Sequence, residues 1–258
     1  MIDIHSHILY GIDDGASSFE DSKLLIDSAI KNGVKGIILT PHYILESKYL
    51  TNNKVKKDVL KKISKYSKID LYLGNEIYIN DQIDELIKKD EISPLAKSKY
   101  LLIELPVYNE YPNLENYLFE LKNKGYKIII AHPERYFYFK NDFNKFLKLV
   151  HEGIYFQGNF MSLYDIYGKS TKKLFLKILK CRGYSFIASD IHIPKQGFYD
   201  KLSISKDKIA KLTDKKYMED IFYNNPLKII NNEKIEVEIK KKKSIFDKIR
   251  GNVWKRSV

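Results

Sequence analysis

Five of the six histidines in this 258-residue chain lie at or just after the ends of short apolar runs. These histidines are His5, His7, His42, His132 and His192. Three acids follow the same pattern, because Glu76, Glu104 and Asp190 also close such runs. Imidazole nitrogens and carboxylate oxygens without any thiolate are a donor set that suits Mn²⁺, Fe or Zn²⁺. The sequence therefore predicts a divalent metal site.

Four of these positions form two pairs with a spacing of two. His5 and His7 stand in the segment DIHSH, and Asp190 and His192 stand in SDIH. Side chains two residues apart in an extended strand point to the same face, so each pair can reach one ion. Either pair alone is a weak signal, since a single histidine at a strand end is more often a hydrogen-bonded structural residue.

Taken together, five imidazoles and three carboxylates exceed the needs of one ion, which predicts two or three bridged ions. Clustered divalent ions activate a water as hydroxide and neutralise the oxygens of a phosphoryl group. Phosphoester hydrolysis is the expected chemistry. Amide hydrolysis or deamination on a related scaffold stays open from these residues alone.

Arg135 and the pair Asp13-Asp14 are further candidates. Arg135, three residues after His132, could bind a phosphate through two parallel hydrogen bonds, or it could pair with a nearby acid such as Glu134. The acids in GIDDGA could supply a ligand or a general acid, or they could serve a turn before the first helix. We favour Asp14 as the ligand.

Seven short runs rich in β-branched and aromatic residues predict the strands that carry these side chains. The runs occupy residues 1–5, 34–40, 69–75, 100–105, 126–132, 153–159 and 184–190. Amphipathic stretches between them predict helices at 18–33, 52–66, 80–90, 113–124, 142–151 and 170–182. Such alternation is typical of α/β folds with parallel strands, either a closed barrel or an open sheet. In both, ligand sites form at the carboxyl ends of the strands.

Composition adds three expectations. No leader or long apolar segment is evident, so we expect a cytoplasmic protein with one domain over residues 1–232 and a basic tail over 233–258. The net charge of +12 favours an anionic partner, and the tail could touch an acidic membrane surface. The only cysteine, Cys181, excludes an intramolecular disulfide.

The segments MIDIHSHILYGIDDGA, TPHY, GNEIYI, LIELP, IIIAHPERY and ASDIH resemble, in order and spacing, the motifs of the polymerase and histidinol phosphatase (PHP) superfamily. Within it, the chain most resembles the bacterial manganese-dependent protein-tyrosine phosphatases of capsule and exopolysaccharide loci. The resemblance covers residues 1 to about 230. It implies a distorted seven-stranded (β/α)7 TIM-like barrel with a trinuclear Mn²⁺ site. It also implies a tyrosine-phosphorylated kinase of polysaccharide assembly as the substrate.

The resemblance also assigns ligands. His5, His7, Glu76 and Asp190 would hold one ion, and Glu76 would bridge to a second ion held by Glu104 and His132. His42, His192 and an acid of the Asp13-Asp14 pair would hold the third. Arg135 would bind phosphate, with Asp14 and His192 also expected to take part in catalysis. The chain departs from the family where relatives carry a second arginine, because Lys195 and Gln196 stand there instead.

Other functions remain as alternatives. A PHP phosphoesterase acting on a small molecule, as histidinol phosphatase does, would use the same metals. A nuclease is disfavoured because no aromatic-basic recognition motif occurs, and we expect no nucleic-acid partner. A non-catalytic module should have lost several ligands. A cysteine-dependent phosphatase needs an arginine at a fixed spacing after its thiolate, and Ile187 stands at that position after Cys181.

Overall fold

Residues 1–236 are described by the computed structural model, so most of the predicted tail, residues 237–258, lies outside the described residues. Within residues 1–236 the backbone forms nine short strands. They are β1 (Ile2–Asp3), β2 (Gly36–Leu39), β3 (His42–Tyr43), β4 (Asp70–Leu73), β5 (Glu76–Tyr78), β6 (Tyr100–Glu104), β7 (Lys127–Ala131), β8 (Tyr155–Asn159) and β9 (Phe186–Ala188).

All strand pairs are parallel, which confirms the predicted α/β class. The strands form two sheets, a three-stranded one with the order β1-β2-β4 and a six-stranded one with the order β3-β5-β6-β7-β8-β9. A parallel bridge between Ser6 and Ile191 connects the end of the β1 segment to the end of the β9 segment. There, the N–H of His7 donates to the carbonyl of Ile191 at 2.8 Å.

The predicted count of seven strands is not reproduced, because two further short strands, β3 and β5, follow directly after the predicted runs 34–40 and 69–75. β2 and β3 are separated by Thr40 and Pro41, and β4 and β5 are separated by Gly74 and Asn75. Pro41 has no N–H to give to a ladder. After each break, the second strand pairs in the other sheet.

Helices follow most of the strands. They are α1 (Phe19–Lys31), α2 (Asn53–Ser64), α3 (Ile83–Lys88), α4 (Leu114–Asn123), α5 (Phe137–Asn141), α6 (Phe143–His151), α7 (Lys169–Lys180), α8 (Leu202–Leu212), α9 (Lys215–Glu219) and α10 (Asn225–Ile230). A π-helical turn, Asp220–Asn224, joins the last two. No helix within these residues is both long and apolar enough to span a bilayer.

Local sequence explains where the helices begin and end. The Ser18 hydroxyl accepts a hydrogen bond from the Asp21 N–H at the start of α1, and Asn52 does the same for Val55 at α2. α1 ends just before Gly33, whose φ of +78° is the left-handed conformation that glycine adopts without steric cost. The six predicted helices therefore lie within a few residues of their expected positions.

Alternate strand residues pack on opposite faces of both sheets. Ile38, Leu102, Ile129 and Phe186 belong to one buried apolar cluster that draws on strands of both sheets. Their immediate neighbours in the strands point outward to a larger cluster, which is packed against the helices. The inner face is therefore shared between the two sheets, and the carboxyl ends of their strands lie at one end of this shared core.

Candidate metal centre

A cavity of about 380 Å³ lies at the carboxyl ends of the strands. The predicted site residues line or adjoin this cavity. Its walls are formed by Asp14, His42, Glu76, Glu104, His132, Arg135, Tyr167, Asp190, His192, Ile193 and Gln196. His5 and His7 are fully buried beneath them. Residues from opposite ends of the sequence therefore meet in one place, as the strand-end pattern predicted.

The potential ligand atoms fall into three overlapping groups. Within each group, the nitrogen and oxygen atoms lie within 4.8 Å of one another. The groups are His5, His7, Glu76 and Asp190; His7, Asp14, His42 and His192; and His42, Glu76 and Glu104. Since His7, His42 and Glu76 each belong to two groups, the arrangement suits ions that share ligands.

The first group is the most deeply buried. His5 Nε2 lies 3.1 Å from Glu76 Oε2 and 3.2 Å from Asp190 Oδ1, and His7 Nε2 lies 3.3 Å and 3.4 Å from the same two oxygens. Four donor atoms therefore converge on one point. Asp190 Oδ1 and His42 Nδ1 are buried atoms without a hydrogen-bond partner among residues 1–236, which leaves their lone pairs available for a cation.

His132 approaches Oε1 of Glu76, whereas His5 and His7 approach Oε2. Its Nε2 is 2.9 Å from Glu76 Oε1 and 3.7 Å from Glu104 Oε1. His42 approaches the same two acids with its Nδ1, at 3.1 Å from Glu76 and 3.9 Å from Glu104. Around Glu104 the compact group thus contains His42, whereas the family pattern led us to expect His132.

The two neighbouring aspartates have different surroundings. Asp13 is buried, and its Oδ2 accepts hydrogen bonds from His7 Nδ1 at 2.7 Å and from the His42 N–H at 2.9 Å. Asp14 is about half exposed, and its Oδ1 lies 3.7 Å from the Nε2 of both His42 and His192. Asp13 therefore orients histidines, while Asp14 faces the cavity.

Backbone geometry around the cavity is unusual. His132 and Asp190 have positive φ values of +31° and +53°, a region that non-glycine residues seldom occupy. Such conformations cost about 1–3 kcal/mol each and cluster at functional sites. At Gly15, a Cβ atom would lie 2.0 Å from the His7 carbonyl oxygen, so the turn that follows Asp14 requires glycine.

Crowding of acids and imidazoles shifts their protonation. Burial, together with the charge of Glu76, raises the pKa of Glu104 to about 8. Burial alone would lower the pKa of His5, but the charges of Glu76 and Asp190 outweigh it and raise this pKa to about 9. Burial and the charge of Arg135 lower the pKa of His132 to about 4. Perturbed pKa values of this kind cluster at functional sites.

Arg135 belongs to the cavity and does not pair with Glu134. Its Nη1 lies 3.6 Å from Asp190 Oδ2, and its guanidinium lies over the Tyr167 ring at 5.7 Å. Glu134 instead accepts hydrogen bonds from the Asn159 N–H, the Ser162 hydroxyl and the Tyr184 hydroxyl. The alternative pairing with Glu134 is therefore wrong. The acid beside Arg135 is Asp190.

Several cavity residues were absent from the sequence prediction. Tyr167 lies in a 3₁₀ turn after β8, and no spacing signal marks it. Gln157 and Asn159 on β8 bond to the candidate ligands His5 and Asp190. Their spacing of two is the same signal that marked His5 and His7, but amides are not metal ligands of choice for these ions.

The segment after Asp190 and His192 carries Lys195 and Gln196, where the resemblance implies an arginine. Gln196 lines the cavity, whereas Lys195 is exposed and outside it. The Gln196 Oε1 accepts hydrogen bonds from the N–H groups of His192 and Ile193, at 2.8 Å and 3.2 Å. Gln196 thus fixes the turn that presents His192 and adds no charge to the cavity.

Cys181 does not line the cavity. It follows α7, where its thiol donates to the carbonyl of Ile178 at 3.2 Å. Burial raises the pKa of this thiol, which is the opposite of what a nucleophilic cysteine needs.

Comparison with known proteins places the chain among bacterial proteins of capsule synthesis. The sequence model described as "Capsular polysaccharide synthesis, CpsB/CapC" matches residues 1–231. The chain is 37% identical over 247 residues to CapC of Staphylococcus aureus, which covers 93% of this chain and 94% of CapC. It is 31% identical over 249 residues to the tyrosine-protein phosphatase CpsB of Streptococcus pneumoniae, which covers 91% of this chain and 100% of CpsB.

A solved structure is also similar. It comes from a study of YwqE from Bacillus subtilis and CpsB from Streptococcus pneumoniae, described as metal-dependent tyrosine phosphatases. It superimposes with a TM-score of 0.81 at 28% identity and covers 92% of this chain and 97% of the solved chain.

Proposed function

The chain belongs to the CpsB/CapC family of capsular polysaccharide synthesis, and from this membership and its strand-end cluster we propose that it is a metal-dependent tyrosine phosphatase. The substrate is phosphotyrosine in a protein, and the reaction is hydrolysis of the phosphate monoester. The observation that carries the proposal is the convergence of the three histidine and carboxylate groups on one cavity with Arg135 in its wall.

The donor set suits resident divalent ions. Buried acids and imidazoles lie within about 3 Å of each other, and Asp190 Oδ1 and His42 Nδ1 have no other partner. When bound, such ions would neutralise phosphoryl oxygens and lower the pKa of water. With nitrogen and oxygen donors only, we propose Mn²⁺, with Fe or Zn²⁺ as substitutes.

We propose three ions with the following ligands. His5, His7, Glu76 and Asp190 hold the first, and His132, Glu76 and Glu104 hold the second. His42, His192 and Asp14 hold the third. His42 also lies close enough to Glu76 and Glu104 to contribute to the second ion. Asp14 is preferred to Asp13 because Asp13 already accepts three hydrogen bonds.

The protein's own side chains bind the phosphoryl group and assist the leaving group. Arg135 is held between the Asp190 carboxylate and the Tyr167 ring, so its remaining N–H groups can donate to phosphoryl oxygens in the cavity. Asp14 and His192 line the same cavity and are partly exposed. We assign to them the orientation of a water molecule that gives a proton to the departing phenolate oxygen of tyrosine and is left as hydroxide.

We also propose that the nine strands form the distorted (β/α)7 barrel that the resemblance implies. β2 and β3 are two parts of one chain segment, as are β4 and β5, which leaves seven segments. The bridge between Ser6 and Ile191 joins the first of these segments to the last, and both sheets share one inner apolar cluster. Residues 1–232 would form this single domain, with the basic tail appended.

The cellular target proposed is a tyrosine kinase of polysaccharide assembly, in the cytoplasm. The family description supports the pathway, and a net charge of +12 suits an acidic phosphorylated partner. The other candidate, a small-molecule phosphoesterase, would use the same cavity but gains no support from the named relatives.

A substrate panel tests the proposal. Phosphotyrosine peptide, phosphoserine peptide, histidinol phosphate and a DNA 3′ phosphate are offered to the Mn²⁺-loaded protein under one condition. We expect phosphotyrosine to be cleaved fastest, chelation to abolish activity, and Cys181→Ser to leave it unchanged. Preference for histidinol phosphate would favour the small-molecule reaction. Full activity after complete metal removal would contradict the mechanism.

A further inference from the structure

A continuous line of buried side-chain hydrogen bonds crosses the floor of the site from His5 to Asp190. His5 Nδ1 lies 2.8 Å from Gln157 Oε1, Gln157 Nε2 donates to Asn159 Oδ1 at 2.8 Å, and Asn159 Nδ2 donates to Asp190 Oδ2 at 2.7 Å. Each link joins two different side chains, and the relative exposure of the four residues is at most 3%.

The direction of every link follows from one end of the line. The ionised Asp190 carboxylate can only accept, so Asn159 must turn its amide NH₂ toward it. The Asn159 oxygen then faces Gln157, which must donate its own NH₂. The Gln157 oxygen is left to face His5, so His5 Nδ1 must carry a proton. One carboxylate thereby determines two amide orientations and the tautomer of a histidine about two side chains away.

From this line we propose that Gln157 and Asn159 are positioning residues, which fix His5 as the Nδ1–H tautomer and hold Asp190 in the rotamer that faces it. His5 then presents the Nε2 lone pair, and Asp190 presents Oδ1, to the same point, where their atoms lie 3.2 Å apart. The inference rests on the metal centre proposed above, because only a cation makes both lone pairs useful there.

The strand geometry suits this role. Gln157 and Asn159 are two residues apart on β8, so both side chains lie on the inner face of the strand. The end of β8 is held in turn by Glu134, whose Oε1 accepts the Asn159 N–H at 2.9 Å. Between them, Gly158 leaves room for Tyr184, whose ring carbon would lie 2.5 Å from a Cβ atom. Glu134, which precedes Arg135 in sequence, thus anchors the end of β8 that carries Asn159.

A purely structural role predicts different behaviour from a positioning role. Any buried amide costs stability when it is replaced, since its partners lose their hydrogen bonds. Only a positioning role also alters the His5 tautomer and the affinity for metal. Asn53 provides a matched control, because it is a fully buried amide on α2 that bonds to Asp90 and touches none of the candidate ligands.

The first measurement uses the full chain without metal at about pH 10, because at lower pH the raised His5 pKa of about 9 would leave both ring nitrogens protonated. Long-range proton–nitrogen NMR of ¹⁵N-histidine protein reports which ring nitrogen is protonated, and the His5 signal is identified by its loss in His5→Gln. We expect Nδ1–H in the wild type and in Gln157→Glu, which keeps an acceptor. We expect a mixture of tautomers in Gln157→Leu. An unchanged His5 tautomer in Gln157→Leu would overturn the proposal.

The second measurement is Mn²⁺ affinity by titration calorimetry, with thermal unfolding in parallel. Loss of a partner that orients a ligand lowers metal affinity by roughly 10- to 100-fold. We expect that loss in Gln157→Leu and in Asn159→Leu, little further loss in the double variant, and wild-type affinity in Asn53→Leu. If all three single variants lose stability but keep wild-type affinity, the amides are structural only and the inference fails.

These results do not depend on catalysis. A protein that binds Mn²⁺ and shows the expected tautomer shift, yet cleaves no phosphotyrosine, would contradict the proposed function and leave the positioning role intact.

Discussion

His7 and Asp13 form a buried imidazole–carboxylate pair, with Nδ1 2.7 Å from Oδ2. Burial alone would raise the pKa of Asp13, but the charge of His7 holds it down at about 2. The carboxylate can only accept, so His7 Nδ1 is its donor and Nε2 is left for a cation. Asp13 therefore fixes the tautomer and the ring orientation of His7, as carboxylates do for many metal-binding histidines.

Asp13 and Asp14 should respond differently to replacement by alanine. Asp13→Ala leaves the buried N–H groups of His7 and His42 without an acceptor, which should lower the free energy of unfolding by about 1–3 kcal/mol. Asp14→Ala removes a half-exposed side chain and should change this free energy by no more than about 0.5 kcal/mol, yet abolish turnover. Urea denaturation and phosphotyrosine turnover of both variants test this. A stability loss in Asp14→Ala as large as that in Asp13→Ala would reverse the two roles.

Removing a central ligand should remove metal. In Asp190→Ala and His132→Ala, we expect turnover to vanish together with bound Mn²⁺, because both side chains face Glu76 or its partners in the cluster. Metal analysis of the purified proteins checks this, with Cys181→Ser as a control that should retain its metal. Wild-type metal content in both alanine variants would contradict their assignment as ligands.

Arg135 should affect phosphate binding without affecting metal content. Hydrogen bonds to charged groups contribute about 1.5–3 kcal/mol, which corresponds to roughly 10- to 150-fold in affinity. We expect Arg135→Ala to weaken inhibition by inorganic phosphate by about this factor. Arg135→Lys should recover only part of it, since lysine lacks the planar fork. Inhibition constants for phosphate, measured together with the Mn²⁺ content of each variant, test this prediction. Unchanged inhibition would restrict Arg135 to its contacts with Asp190 and Tyr167.

Lys56 should make the stability of the fold depend on pH. It is fully buried on α2, its Nζ donates to Asn75 Oδ1 and to the carbonyl of Glu91, and burial lowers its pKa to about 7. Between pH 7 and the ordinary lysine value near 10.5, the unfolded chain binds a proton that the folded chain does not. Stability therefore rises with pH across this window.

Lys56→Met should flatten that rise. The free energy of unfolding, measured by urea denaturation from pH 6.5 to 9.5, should increase more steeply with pH in the wild type than in the variant. Lys57, which is exposed and pairs with Asp90, offers the matched control Lys57→Met. Equal slopes in all three proteins would mean that Lys56 stays protonated in the folded state.

Much of the site could be predicted because strand ends are visible in a sequence. Apolar runs mark the strands, parallel topology brings their carboxyl ends together, and histidines there are conspicuous. The partner of Arg135 could not be predicted, since Glu134 is adjacent in sequence but points into the core toward Tyr184. Proximity along the chain says little about which face of a turn a side chain takes.

The amides on β8 were missed for a different reason. Gln157 and Asn159 bind no metal directly, and their importance comes from partners more than thirty residues away in sequence. The strands β3 and β5 were missed because they are only two and three residues long and lie just beyond the apolar runs, after Pro41 and Asn75, where the chain pairs in the other sheet. Hydrophobic periodicity predicts which residues are buried, but it does not predict which strand pairs with which.

The bridge between Ser6 and Ile191 also has a consequence for how the protein is made. His5 and His7 leave the ribosome well before Asp190 and His192, which follow only after most of residues 1–236 have been synthesised. Contacts so distant in sequence form late in folding, because a long loop must close before they are made. A nascent or truncated chain therefore lacks a complete ion-binding pocket, and hydrolytic competence arises only in a polypeptide whose two ends have met.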